Sequence, residues 1–246
     1  MRIYFFPSEH GTPENASYEH CMVALAEGLQ SLGYEVAGFR NYWPSKNNWL
    51  IPKTEESPED FDVVVISNEW LHRYNSLPNE YIKLKNPRKI YIDASDGWKT
   101  DAIINNDWPA DLILRTHYVQ SHKYHKKVKP WAFGLTNRII NAIETVKPLA
   151  KRNKSIVCNF RVGHPVRDYF TATLKKLLSH DFYWDTSIDT NPPEDSINKK
   201  YWELTGRRHY PQFYEKLNNS ILCAAFGGYF CPSLPNSVST FYGRLN

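Results

Sequence analysis

The chain has 246 residues, of which 41% are hydrophobic and 23% are charged. This composition excludes an intrinsically disordered chain and allows a substantial core, in one large domain or two smaller ones. The net charge of +4 is too small and too scattered to favour duplex nucleic acid as a partner. Residues 151–246 hold 13 Lys and Arg against 8 Asp and Glu, so this part of the chain favours an anionic ligand.

Cysteine usage and the apolar runs indicate a cytoplasmic location. The four cysteines form no C-x-x-C motif and have no histidine at metal-ligand spacing, so we expect reduced, mostly buried thiols and no metal site. The apolar run at residues 2–6 is too short for a signal peptide, and no run is long enough to span a membrane. His117, His122 and His125 resemble a metal cluster, but no carboxylate or cysteine completes it, which favours solvated histidines.

The first 40 residues predict a strand, a helix and a second strand. Residues 1–6 form a buried strand, and apolar side chains at steps of three and four predict a helix over residues 18–32. Gly33 stands in the usual place after a helix C-terminus, and residues 35–39 form the next strand. Because such a crossover joins parallel strands, the sequence predicts a parallel sheet.

Three more apolar segments continue this sheet. They predict strands at residues 61–67, 89–93 and 110–115. A short helix is expected at residues 81–84, whereas residues 41–59 are polar and predict a long loop or an irregular insertion. With a final helix over residues 137–146, these elements fit one Rossmann-like domain, placed at residues 1–146.

Residues 147–246 predict a second, shorter Rossmann-like domain. Residues 147–154 are basic, contain Pro148 and predict an interdomain linker. The strands are expected at residues 155–160, 182–185 and 220–226, and the helices at residues 168–179 and 211–217. A doubly wound domain normally has two or three more strand–helix units, so this domain is either truncated or minimal. The predicted fold class is therefore α/β with two Rossmann-like domains, the second incomplete.

The turn from the first strand of the second domain into its helix predicts an anion site. Arg161, Gly163, His164 and Arg167 surround it, and Pro165 suits the first helical turn. Backbone N–H groups and the helix dipole converge at a helix N-terminus, and two arginines add forked donors that suit phosphate. We therefore expect a nucleotide diphosphate here. The alternative is that both arginines are solvated surface charges and that His164 is a loop histidine.

A glycine pair near the C-terminus is a second candidate contact to this ligand. Gly227 and Gly228 follow the last predicted strand and would permit a close approach of the backbone. A plain turn would need the two glycines equally.

Polar and aromatic side chains follow the strands of the first domain, where ligands of open α/β sheets bind. Asp96 and then His10 are candidates for a general base. Asp93 is a further candidate. For both Asp93 and Asp96, the alternative is that the side chain caps a helix or a turn. Candidates for lining an acceptor site are Glu69, Trp70, Asp93 and Trp98. Packing in the core is an equal alternative for both tryptophans.

The order of several segments resembles the glycosyltransferases of GT-B architecture. The chain begins with a β-loop-α unit containing residues 27–29 and 32–36, and it has a Pro-Trp-Ala-Phe-Gly segment at residues 130–134 before a basic linker. Residues 214–224, which run on into Phe-Gly-Gly-Tyr-Phe at 226–230, are most similar to exostosin-like and related bacterial or viral glycosyltransferases.

This resemblance implies transfer of a sugar from a UDP- or GDP-linked donor to a glycan or other hydroxyl acceptor. It also implies two facing Rossmann-like domains, the second binding the donor, and no required metal. Such families commonly hold the donor with an Arg and a Glu on a helix that would begin near residues 241–246, and the sequence contains no such Glu. The alternative is therefore a catalytically incomplete nucleotide- or sugar-binding module. A Rossmann-type oxidoreductase is disfavoured because no G-x-G-x-x-G follows the first strand.

Overall fold

The structure, a computed structural model, describes residues 1–8, 19–45, 48–95, 108–120, 122–143, 146–158, 165–185, 199 and 211–224. These residues form two compact units, the first within residues 1–140 and the second within residues 141–185 and 211–224. No helix in these ranges is long and apolar enough to cross a membrane.

The first unit alternates strands and helices. Its strands are β1 (Arg2–Phe6), β2 (Glu35–Gly38), β3 (Tyr42–Pro44), β4 (Trp49–Ile51), β5 (Val63–Ser67), β6 (Arg88–Asp93), β7 (Leu112–Arg115) and β8 (Val128–Pro130). The helices are α1 (His20–Ser31), α2 (Glu69–Tyr74) and α3 (Asn79–Lys83), and a 3-10 turn spans Pro58–Asp60. Helix α4 (Asn137–Ile143) follows and contains residues 140 and 141, at which the two units divide.

Six of these strands form one sheet in the order β2–β1–β5–β6–β7–β8, and every pair in it is parallel. Its central strands are apolar on both faces, as parallel sheets require. Ile3, Phe5 and Val65 pack with α1 on one face, whereas Tyr4, Phe6 and Ile66 pack on the other face, with Tyr81 of α3. The α/β class and the parallel sheet are therefore confirmed, and the sheet is compatible with a Rossmann-like fold.

The prediction of a loop at residues 41–59 was wrong. Strands β3 and β4 form an antiparallel hairpin, which buries Trp43, Leu50 and Ile51 in the same core cluster as α1. Each strand has three residues, too few to show a period in the sequence. Helix α2 and strand β8 were missed for the same reason, since they have six and three residues.

The second unit contains a three-stranded parallel sheet in the order β10–β9–β11. Its elements are β9 (Asn153–Val157), α5 (Pro165–Leu178), β10 (Tyr183–Asp185), α6 (Pro211–Asn219) and β11 (Ser220–Cys223). Ile156, Cys158 and Ala224 form its buried cluster. Part of the predicted linker is ordered structure, because a 3-10 turn spans Leu149–Lys151 and β9 already begins at Asn153.

Candidate functional site

The chain leaves two neighbouring strands, β1 and β5, toward opposite faces of the six-stranded sheet. After β1, helix α1 buries Met22, Val23 and Ala26 against one face. After β5, Trp70 and Leu71 of α2 pack against the other face. In open α/β sheets, ligands bind beyond the carboxyl ends of the strands at such a reversal, which is called a topological switch point. A ligand site is therefore expected at the carboxyl ends of β1 and β5.

A buried carboxyl group occupies this position. Glu19 directly precedes α1 and has 5% of its surface exposed. The Oγ of Ser67, the last residue of β5, donates a hydrogen bond to Glu19 Oε1 at 2.5 Å. Ser67 lies on the α1 face of the sheet, because Val63 and Val65 precede it at steps of two. The backbone N–H of Glu19 donates to the hydroxyl of Tyr42 at 3.2 Å.

Its surroundings raise the pKa of Glu19 to about 7. The main cause is burial, which disfavours the charged form of a carboxyl group, and the negative charge of Glu69 acts in the same direction. Hydrogen bonds from Ser67 and Ser8 favour the charged form and partly offset these effects. Glu19 can therefore gain or lose a proton near neutral pH, as a general base must.

Three aromatic side chains lie at the same carboxyl end of the sheet, on its other face. This aromatic ledge consists of Phe39, Trp70 and Tyr74, with ring centroids 6.2 Å apart for the first pair and 4.9 Å for the second. Trp70 Nε1 donates to the carbonyl oxygen of Phe6 at 2.7 Å, so the orientation of the indole ring is held from β1. Tyr74 is 43% exposed. The ledge is thus a partly exposed, preorganised apolar surface.

Two charged groups border the ledge. The guanidinium of Arg40 lies 4.8 Å from the centroid of the Phe39 ring. Glu69 forms an ion pair with Arg73 one helical turn later, at 3.4 Å, and its backbone N–H donates to Ser67 Oγ at 3.2 Å. Of the predicted acceptor residues, Trp70 therefore belongs to the ledge, and Glu69 links the ledge to Ser67, the partner of the buried carboxyl group.

Asp93, the third predicted acceptor residue in the described chain, has internal partners. Its Oδ2 accepts from Arg115 Nη1 and its Oδ1 accepts from Ser95 Oγ at 2.5 Å. Arg115 is fully buried and also donates to Ser95 Oγ at 3.1 Å. These contacts join the carboxyl ends of β6 and β7, so Asp93 has a structural role whether or not a ligand reaches it.

The other predicted site residues lie outside the described residues or have no described side chain. Those outside the described residues are His10, Asp96, Trp98, Arg161, Gly163, His164, Gly227 and Gly228. Arg167 lies within α5, where only its backbone is described. Within the described ranges, no group of three His, Cys, Asp or Glu side chains is arranged to hold a metal ion.

Sequence reasoning did not select Glu19. Its one signal was its place at the end of the first strand-to-helix loop, where an acidic residue is commonly a helix cap. Burial and the bond from Ser67, 48 residues away, distinguish it from a cap.

Comparison of the chain with protein-family models, with curated proteins and with solved structures found no match. The chemistry of the site itself is therefore what supports a function.

Proposed function

We propose that the chain is a metal-independent glycosyltransferase of GT-B architecture, which moves a sugar from a nucleotide-diphosphate sugar to a hydroxyl acceptor. The observation that carries this proposal is the aromatic ledge beside a buried carboxyl group at the switch point of the parallel sheet. Pyranose rings present apolar C–H faces, which pack on aromatic rings, and their hydroxyls need a proton acceptor before they attack. The first unit offers both features at the carboxyl end of its sheet, the carboxyl group on the α1 face and the ledge on the other face.

The rigidity of the ledge suits an acceptor. Trp70 is held by its bond to Phe6 and by contact with Phe39 and Tyr74, so little side-chain freedom is lost when a sugar binds. Glu69, adjacent in sequence, adds a carboxylate that can accept hydrogen bonds from sugar hydroxyls. We therefore assign Glu69 and Trp70 to the acceptor.

The donor belongs to the second unit in this proposal. Helix α5 begins at Pro165, after β9, as the predicted anion site requires. The strand order β10–β9–β11 reverses at β9, which is the arrangement of a switch point. The excess of basic residues after residue 150 suits a diphosphate. Arg161, Gly163, His164, Arg167, Gly227 and Gly228 remain the predicted donor contacts.

Calorimetric titration with UDP, GDP and NAD, followed by a turnover assay with nucleotide sugars and a panel of glycan acceptors, tests the proposal. We expect one nucleoside diphosphate to bind and its sugar conjugate to be turned over. Binding of NAD alone would exclude a transferase. Binding of a nucleoside diphosphate without turnover of any nucleotide sugar would indicate the catalytically incomplete binding module instead.

The ledge makes a sharper prediction for the acceptor. The Trp70→Ala variant removes the central ring, so we expect the KM for the acceptor to rise at least about tenfold, which corresponds to about 1.4 kcal/mol. The affinity for the nucleoside diphosphate should not change. The Tyr34→Ala variant is the control, because Tyr34 is also an exposed aromatic residue but precedes β2, at the amino ends of the strands. Equal effects of the two substitutions would exclude the ledge as acceptor site.

A further inference from the structure

We propose that Glu19 is the proton acceptor for the attacking hydroxyl group of the acceptor, and that Ser67 Oγ passes the proton to it. This inference deepens the proposed function and depends on it. It adds two residues, Glu19 and Ser67, that the sequence did not indicate, to the predicted candidates Asp96 and His10.

The hydrogen bonds of Ser67 leave it able to accept a proton. A serine hydroxyl has one donor hydrogen and two lone pairs. The hydrogen of Ser67 goes to Glu19 Oε1, and one lone pair accepts the backbone N–H of Glu69. No described residue donates to the second lone pair. Ser67 is 4% exposed, so the transfer requires an acceptor hydroxyl that enters beside Glu69 and donates to this lone pair.

The transfer balances in protons and electrons. The acceptor O–H gives its proton to Ser67 Oγ as the Ser67 proton moves to Glu19 Oε1. The freed oxygen forms a bond to the anomeric carbon of the donor sugar, while the bond from that carbon to the diphosphate oxygen breaks. The nucleoside diphosphate leaves with the electron pair, and the net proton is held on Glu19.

The groups around Glu19 suit this role. Of the charged groups on the elements around it, Glu69 is the one whose charge acts on Glu19, and Glu69 is itself paired with Arg73. Tyr42 contacts the backbone of Glu19, and His20 points away, with Nε2 3.1 Å from the carbonyl oxygen of Gly134. Ser8 and Ser67 supply hydrogen bonds that stabilise the carboxylate before it takes the proton. Burial keeps the pKa of that carboxyl group near 7, where a base works best.

The Glu19→Gln variant tests the inference, because glutamine keeps the acceptor oxygen for Ser67 but cannot take a proton. We expect kcat to fall about 100- to 10,000-fold, the loss typical of removing a general base, with the KM for both substrates changed less than about threefold. In the wild type, kcat/KM should rise with pH through about 7, and the variant should lose this rise. Ser67→Ala should show a similar loss, and the double variant should show no additional one.

Glu27→Gln is the matched control. Glu27 lies in α1, the helix that Glu19 precedes, burial also raises the pKa of its carboxyl group, and it accepts a hydrogen bond from the backbone N–H of Asn137 at 2.6 Å. It lies outside the site, so kcat and the pH profile should stay those of the wild type. A general effect of removing a carboxyl group from this part of the chain would appear equally in both variants and would overturn the inference.

An infrared pH titration gives a readout that does not depend on activity. The band of a protonated carboxylic acid should disappear between about pH 6 and about pH 8 in the wild type and be absent from Glu19→Gln. If the wild type transfers sugar but Glu19→Gln keeps its kcat and pH profile, or if no carboxyl group titrates in this range, the inference is wrong and the proposed function stands. If the wild type turns over no nucleotide sugar, both fail.

Discussion

At the scale of single residues, the buried ion pair of Asp93 and Arg115 holds two strand ends together. Arg115 is fully buried and Asp93 is 2% exposed, so neither charge is screened by water. Ser95 bonds to both, which satisfies further polar atoms of the pair. Removing two charges from water costs several kcal/mol each, and only their mutual attraction and these bonds compensate for it. Removing one member of the pair should therefore strongly lower the free energy of unfolding.

Substitution of Arg115 by methionine should be strongly destabilising. It leaves the Asp93 carboxylate buried without its cation, and we expect the free energy of unfolding to fall by about 3–5 kcal/mol. Urea denaturation measures this loss. Arg88→Met is the control, because Arg88 forms an exposed pair with Asp111 at 3.8 Å and should change stability by about 0.5 kcal/mol or less. Equal effects of both substitutions would contradict the structural role of the buried pair.

At the scale of elements, the free side of strand β2 is covered by the segment that follows the β3–β4 hairpin. The N–H of Gly38 donates to the carbonyl oxygen of Pro52 at 3.0 Å, and the N–H of Thr54 donates to the carbonyl oxygen of Gly38 at 2.9 Å. An uncovered parallel edge would offer these groups to another chain. Gly38 is also closely packed on its other contacts: a Cβ there would lie 2.7 Å from the carbonyl oxygen of Phe5 in β1 and 3.0 Å from a methyl of Ile51 in β4.

The two glycines Gly38 and Gly28 should respond oppositely to alanine. Gly38→Ala forces strand β1 or the hairpin to shift, so we expect it to lower the free energy of unfolding by about 1–3 kcal/mol. Gly28→Ala adds its methyl group to the interior of α1, where no atom lies within 4 Å, and should stabilise by up to about 1 kcal/mol. Chemical denaturation of both variants measures these two changes in stability. If Gly38→Ala left the free energy of unfolding unchanged, the hairpin would have moved to accommodate the methyl group at little cost, contrary to this prediction.

At the scale of the whole molecule, Glu19 links stability to pH. Its pKa is about 7 in the folded protein against an ordinary value of 4.5, so the folded state binds the proton more tightly than the unfolded state does. The stabilisation is complete below the ordinary pKa and is lost as the pH rises through about 7. A shift of this size corresponds to about 3 kcal/mol.

The Glu19→Gln variant should remove this dependence. The difference in free energy of unfolding, variant minus wild type, should increase by about 3 kcal/mol from about pH 4 to about pH 8. The reason is that the wild type loses this stabilisation in that range, whereas glutamine does not titrate. Denaturation at a series of pH values measures the difference between the two proteins. A constant difference across this range would show that Glu19 does not titrate there.

The sequence by itself determined the central strands and the longer helices, because these depend on neighbouring residues. Apolar runs marked the central strands, and the spacing of apolar side chains marked α1, which ends before Gly33 at a φ of 80°. Pro165 marked the start of α5. The alternation of these strands and helices sufficed for the α/β class and for a parallel sheet.

Only the tertiary structure decided which of these elements meet. Strand order placed β5 beside β1, and the opposite paths of the chain after them made the switch point. Glu19 and Ser67 are 48 residues apart, and Trp70 and Phe6 are 64 apart, so no local pattern could pair them. The short hairpin strands form because their aromatic and aliphatic side chains are buried against α1. The longer elements could be predicted from the sequence because their causes are local. The site could be identified only in the folded structure, because burial and proximity are properties of the packed molecule.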